Sequence, residues 1–167
     1  DLSREADRRM VEWSRSGPEL GVRFEMARRK EEDTVPLERP PARPGKRPAV
    51  VDPVRMPVYD RWAPTRKSRF PWAYLLPPSQ AVVLLRVQGV IVRSLDEKWT
   101  GLCDRFEITK ATQAAQPFQG HRLWTLEGAF RAERMTWPKS TILIETGQPL
   151  GALIFHILEP ESTDGAA

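Results

Sequence analysis

FPWAYLLPPSQAVVLLRVQGVIVRSL, residues 70–95, is the stretch that decides the fold. Its first run, Trp72 to Leu76, is a short apolar segment stopped by Pro77-Pro78, which reads as a strand. Ser79 then stands where a helix N-cap belongs, and Val82, Leu85 and their neighbours carry a helix to Gln88. Gly89 closes that helix. Val90 to Leu95 is mostly β-branched and apolar at its start, and reads as a second strand. Strand, helix and strand form a β-α-β unit, whose two strands are expected to pair in parallel through a right-handed crossover.

Downstream the pattern changes to runs without crossovers. Phe106 to Lys110 alternates as a half-buried strand does. Arg122 to Leu126 and Phe130 to Thr136 flank Glu127-Gly128-Ala129 and predict a hairpin turning at the glycine. Thr141 to Glu145 is a further strand. Gln148-Pro149-Leu150-Gly151 opens a last helix through Leu153, Ile154, Ile157 and Leu158, stopped before Pro160. A β-α-β unit, mostly antiparallel strands and a closing helix make an α+β domain over residues 70–167.

Upstream, Leu2, Ala6, Met10 and Trp13 recur at helical spacing with charges between them, so residues 1–16 predict an amphipathic helix stopped at Ser16-Gly17-Pro18. Val22, Phe24 and Met26 alternate as a short strand, and Arg28 to Asp33 reads as a solvated charged turn. From residue 35 onward proline recurs at 36, 40, 41, 44, 48, 53, 57 and 64. Proline gives no ladder donor, so residues 35–69 predict an extended connector lying along a folded surface. The expected organisation is a helix and charged segment over 1–34, a Pro-rich connector over 35–69, and the compact domain over 70–167.

Composition narrows the classes. The chain has 167 residues, 40% hydrophobic and 29% charged, ordinary values for a globular domain. The longest apolar stretch, Leu150 to Leu158, contains Gly151 and His156 and is too short to span a bilayer, so no membrane partner is expected. One cysteine, Cys103, excludes an internal disulfide framework and a multi-cysteine zinc site. One cysteine and no signal-like start fit the cytoplasm. The chain begins at Asp1, with no charged and apolar leader behind it, and reads as a piece of something longer. Net charge is +4, but it is uneven: residues 1–69 hold 17 Lys/Arg and 12 Asp/Glu, residues 70–167 hold 9 and 10. The basic excess therefore lies wholly in the N-terminal part.

Three constellations bear on chemistry. His156-Ile-Leu-Glu159 has the i, i+3 spacing that can direct an imidazole and a carboxylate at one metal, and His121 is the other histidine available. A metal site needs a third ligand and an open position, and the bland reading puts His156 on an apolar closing helix. Glu159, Glu161 and Asp164 cluster as catalytic or cation-binding carboxylates do, or simply as a solvated tail. Arg61, Arg66, Lys67 and Arg69 alternate with Tyr59, Trp62, Phe70 and Trp72 in the manner of a nucleic-acid surface. Prolines bracket that cluster and Asp60 interrupts it, which makes nucleic acid the less favoured partner. No Gly-x-Gly-x-x-Gly, Walker A, Gly-x-Ser-x-Gly or Cys-x-x-Cys occurs.

Four stretches together resemble a known family. Phe70-Pro-Trp-Ala-Tyr-Leu-Leu-Pro-Pro78, the Gln88-Gly89-Val90-Ile91-Val92 step, Gln116-Pro-Phe-Gln-Gly-His121, and Gln148-Pro-Leu-Gly151 with Leu158-Glu-Pro-Glu-Ser162 are similar, in order, to an accessory domain that follows the catalytic domain in bacterial zinc carboxypeptidases of the carboxypeptidase A type. The resemblance implies that zinc and the catalytic residues belong to a catalytic domain outside this chain. It implies no cofactor and no catalytic residue here, and makes the His156-x-x-Glu159 spacing coincidental. The chain is then expected to dock on a peptidase domain, in cis or as a separate chain. Met10 and Trp13 on the helix stripe, with Trp62, Arg66 and Arg69 on the connector, are the expected partner-binding residues. The alternatives left open are a nucleic-acid or protein-binding module and a stand-alone zinc peptidase using His156 and Glu159.

Overall fold

The computed structural model describes residues 2–37, 53–117, 120, 122–163 and 165. In chain order the elements are α1 (Leu2–Ser16), β1 (Glu19–Pro36), β2 (Pro53–Arg69), β3 (Ala73–Leu76), α2 (Gln80–Val87), β4 (Arg93–Ser94), β5 (Trp99–Gln113), β6 (Trp124–Trp137), β7 (Ile142–Glu145) and α3 (Gly151–Leu158). The fold is α+β, with a helix at each end and antiparallel strand pairing throughout the sheets whose register is defined. Two compact units are present: Asp1–Arg23 with Thr65–Ala167, and Phe24–Pro64.

The larger unit is built on a three-stranded sheet of order β3-β7-β4. β7 is its centre: Ala73 to Leu76 pair with Glu145 to Ile142 on one side, and Arg93 and Ser94 pair with Leu143 and Ile142 on the other. Ile142 and Ile144 point into a core closed by Val82 and Leu85 of α2, Val90, and Ile154 of α3. Leu85, Ile144 and Ile154 are wholly buried, each side chain contributing roughly 1.5–3 kcal/mol by leaving water.

The β-α-β unit exists, but β3 and β4 do not pair with each other. Both run antiparallel to β7, which lies between them. The second strand is also far shorter than residues 90–95 suggest, because other groups satisfy its first amides. The Val90 amide donates to the Leu85 carbonyl at 3.0 Å and the Gly89 amide to Arg86 at 3.0 Å, a Schellman closure made possible by the positive φ of Gly89. The Ile91 amide donates to Gln148 Oε1 at 2.8 Å, and Gln148 Nε2 donates to the Ile91 carbonyl at 3.1 Å. One glutamine side chain thus replaces a rung of ladder. Ser79 occupies the N-cap position of α2 with extended backbone, without a side-chain capping bond.

α1 belongs to this same unit. Met10, Val22, Phe70 and Phe155 form a second core cluster, flanked by Trp13, Leu20 and Ala152. Phe70 sits between Trp13 and Phe155, at ring-centroid distances of 5.9 and 5.2 Å. The amphipathic stripe of α1 needed an apolar cover, and the closing helix α3 supplies it through Phe155. Residues 1–23 therefore fold with residues 65–167 rather than as a separate N-terminal segment.

β1 and β2 form a two-stranded ribbon. Arg28 to Asp33, expected as a turn, lie within β1, and Pro53 to Arg69, expected as a connector without a ladder, form its partner. Each strand of a two-stranded ribbon keeps one unpaired edge, and prolines are accommodated there. Within the smaller unit, Arg29 ties the strands by bonding Asp60 across the ribbon; that bond raises the Arg29 pKa and lowers that of Asp60. The connector residues between 38 and 52 lie outside the described residues.

β5 and β6 form a second two-stranded ribbon. The hairpin does not turn at Gly128. β6 runs continuously through it, and the Ala114 amide donates to the Leu123 carbonyl at 2.8 Å to close the strands further out. Gly128 is required for close approach instead: a Cβ there would collide with the Glu107 carbonyl and the Phe106 ring.

Candidate interaction surface

The β5–β6 ribbon sorts its side chains by face. From Trp99 to Ile108 the register is one to one, so opposed residues share a face. One face carries Leu102 opposite Arg134, Asp104 opposite Ala132, Phe106 opposite Phe130, and Ile108 opposite Gly128. The other carries Cys103 opposite Glu133, Arg105 opposite Arg131, and Glu107 opposite Ala129.

At Thr109 the register shifts by one residue, a β-bulge in which the Thr109 hydroxyl donates to the Glu127 carbonyl at 3.1 Å. Side chains beyond it exchange faces relative to simple alternation. Lys110 joins the charged face opposite Glu127, while Ala111 joins Leu126, and Gln113 joins Trp124, on the face of Leu102 and Phe106. The bulge therefore keeps Lys110 off the face of Leu102, Phe106 and Ile108, where Leu126 and Trp124 also lie.

On the charged face the like-charged pair Arg105 and Arg131 is resolved diagonally. Arg105 Nε meets Glu133 at 3.1 Å, Arg131 Nε meets Glu107 at 2.7 Å, and Lys110 Nζ meets Glu127 at 3.0 Å. These pairs are about half exposed and are worth ~0–1 kcal/mol each. Near the base of this face Trp99 folds over Gly101 beside Met135 and Trp137. On the opposite face the apolar side chains have no such company: Leu102 is 70% exposed, Ile108 54%, Trp124 47% and Phe130 44%. Phe130 leans edge-on against Phe106 at 5.1 Å. Asp104 and Arg134 are the charges on that face.

The segment after α3 is tied to β6 toward its hairpin end. Arg23 of β1 donates from Nε to the Glu161 carbonyl at 2.9 Å and from its guanidinium to the Leu126 carbonyl. Arg66 of β2 donates from Nε to Glu161 Oε2 at 2.6 Å and from Nη2 to the Gly128 carbonyl at 3.4 Å. Two arginines thus bridge the chain after α3 to β6, and the Thr163 amide adds a bond to Val22 at 3.0 Å.

Glu159 lies deeper. Its Oε1 accepts from the Tyr74 hydroxyl at 2.8 Å, and Ser68 gives a second hydrogen bond. Its Oε2 is buried without a partner. Burial raises the carboxyl above its usual 4.5, the hydrogen bonds from Ser68 and Tyr74 oppose that, and the charge of Glu161 adds to it. Tyr74 is pushed well above its usual range, chiefly by burial and then by the Glu159 charge. Glu159 and Glu161 are 3% and 5% exposed. Both side chains fasten remote segments of the chain to one another.

The residues singled out by sequence fall as follows. Met10 is buried in its own core and is not offered to a partner; Trp13 packs its ring on Phe70. Arg66 is engaged by Glu161. Arg69 lies against Gly17, where a Cβ would collide with its guanidinium. Trp62 is 67% exposed, in the smaller unit, beside Arg28, Arg61 and Ala63. The basic and aromatic cluster of residues 59–72 is dispersed, since Phe70 is buried and Arg66 is paired. His156 sets its ring edge-on to Phe155 at 5.3 Å, while Glu159 turns to Tyr74 and Ser68. Among the described residues no three His, Cys, Asp or Glu side chains converge to hold a metal. His121 and Asp164 lie outside the described residues. Sequence reasoning missed the apolar ribbon face; the alternation of Leu102, Phe106 and Ile108 signals it only once the register with β6 is known.

Comparison with known proteins adds a direction. The carboxypeptidase 2 proteins of Trichophyton tonsurans, Trichophyton equinum and Trichophyton rubrum are each 30% identical to this chain over 99 residues. The chain is similar to part of a carboxypeptidase. The match takes in 58% of this chain but 18% of each relative, so the chain spans less than a fifth of their length. These relatives are fungal, whereas the motif resemblance pointed to bacterial enzymes. No family model matches the chain, and no solved structure matches it.

Proposed function

We propose that this chain is a non-catalytic accessory part of a carboxypeptidase-like protein, with peptide hydrolysis carried by a zinc-bearing catalytic domain outside it. The observation that supports this is the unequal coverage: most of this chain matches a small fraction of each carboxypeptidase. The internal use of the two best carboxylates agrees with it. Glu159 bonds Tyr74 and Ser68 and Glu161 bonds Arg66, and both are buried away from solvent. In this reading Trp62 and Arg69 are contact residues toward a peptidase domain.

The test is metal content and C-terminal trimming of an unblocked peptide, measured on the 167-residue chain and on the native full-length polypeptide. The expected outcome is hydrolysis by the full polypeptide and none by the chain alone. Stoichiometric zinc in the chain alone, with hydrolysis abolished by His156→Ala, would overturn the accessory reading in favour of a stand-alone peptidase.

A further inference from the structure

We propose that the apolar face of the β5–β6 ribbon is where this segment seats against a peptidase domain of the same polypeptide, an inference that rests on the accessory reading above. Four observations carry it. The ribbon is sided: charged pairs lie on one face, while Leu102, Phe106, Ile108, Phe130 and Trp124 lie on the other. The bulge at Thr109 preserves that sidedness where alternation would have brought Lys110 onto the apolar face. A two-stranded ribbon is marginal in water unless a face is covered. Arg23 and Arg66 bond the 126 and 128 carbonyls of β6, level with Ala111 and Ile108, so the face is presented in a set position.

Charge and area decide the occupant. Asp104 and Arg134 cancel, so the face has no electrostatic claim on a polyanion. From Leu102 to Gln113 the ribbon is about 40 Å long and about 10 Å wide, on the order of 400 Å² in plan. That matches the largest apolar patch a typical monomer leaves in water, but is about half of what one partner contributes to a stable complex of separate chains. A second copy, held by this face alone, would be weakly bound. A domain tethered in the same polypeptide needs no such area, since the tether supplies a high effective concentration. The relatives carry more than four-fifths of their length outside the matched segment, which is where such a domain would lie.

The experiment uses the native full-length polypeptide with a photo-crosslinking benzophenone amino acid in place of Ile108 and, separately, in place of Arg105 on the charged face. Crosslinked peptides are mapped by mass spectrometry, and peptide hydrolysis is assayed on the same samples. The expected result is intramolecular crosslinking to the peptidase domain from position 108, several-fold above that from 105. Crosslinks between two copies, equal yields from both positions, or none from 108 would overturn the proposal. Hydrolysis without crosslinking removes the docking face and keeps the accessory reading; crosslinking in cis without hydrolysis removes the carboxypeptidase reading. As a second readout, Ile108→Lys is expected to leave the unfolding midpoint of the 167-residue chain in place and to lower that of the full polypeptide. A full polypeptide indifferent to Ile108→Lys counts against the face.

Discussion

β7 and β5 are both strands of one compact unit, and they are stabilised in opposite ways. β7 has four residues, is paired on both edges, and buries Ile142 and Ile144 almost completely. β5 has fifteen residues, is paired on one edge, and buries none. A short central strand is held by what covers it from two helices. A long ribbon is held by register, by diagonal ion pairs and by two arginines bonded to the β6 backbone. The first arrangement is self-sufficient; the second leaves a face over.

The sharpest way to break the comparison is to remove apolar volume from each strand. Ile144→Ala is expected to cost about 2–5 kcal/mol, because a cavity opens in a core that cannot collapse. Chemical denaturation of the 167-residue chain measures it, and a loss below about 1 kcal/mol would mean that the sheet core is less tightly packed than described. Next in size is Arg66→Ala, expected at about 1–3 kcal/mol: it strands Glu161 in a buried site, while the half-exposed arginine itself is partly screened. Gly128→Ala is expected to cost about 1–3 kcal/mol by forcing β6 off the Glu107 carbonyl. Hydrogen exchange of the Ile108 to Lys110 amides would locate the damage at the bulge, and unchanged protection there would show that the glycine is not needed.

A pH series sharpens the same contrast from the side of the sheet, at the carboxylate buried beside Tyr74 of β3. The Glu159 pKa is raised in the folded chain, so between 4.5 and the raised value the folded state holds the proton more firmly than the unfolded state. Stability is then expected to fall as pH rises upward from 4.5 and to level off above the raised value. Glu159→Gln should flatten that descent; a slope identical to that of the wild type would assign it to another group. The smallest effect is expected from Ile108→Ala in the isolated chain, within about 0.5 kcal/mol, as for surface positions away from packed contacts.

What the sequence made legible follows the same division. β3, α2 with its Gly89 stop, β7 and α3 were readable because apolar period and breaker residues coincide there. The insertion of β7 between β3 and β4 was not readable, since pairing order is decided by segments about fifty residues apart for β4 and β7 and about seventy for β3 and β7. Gly128 read as a turn because glycine in a strand signals either a turn or a close approach, and only the partner strand tells which. Glu159 and Glu161 read as a solvated tail because the groups that bury them are remote: Arg23 is 138 residues from Glu161, and Arg66 is 95. Met10 and Trp13 read as partner-binding residues because they form an apolar stripe, and that Phe70 and Phe155 of the same chain pack with them is a tertiary fact.

The extra residue at Thr109 is accommodated without cost to the two faces. Deleting it would remove the bulge and make Lys110 follow Ile108 directly, so Lys110 would stay opposite Glu127 and Ala111 opposite Leu126, whereas deleting one residue between Leu102 and Ile108 would exchange inside and outside for one end of the ribbon. An insertion between residues 114 and 123 would only lengthen the hairpin end. Single-residue gaps among relatives of this chain therefore carry unequal weight: one between positions 102 and 108 rewrites a surface, one at 109 only straightens a strand, and one in the connecting loop changes only reach.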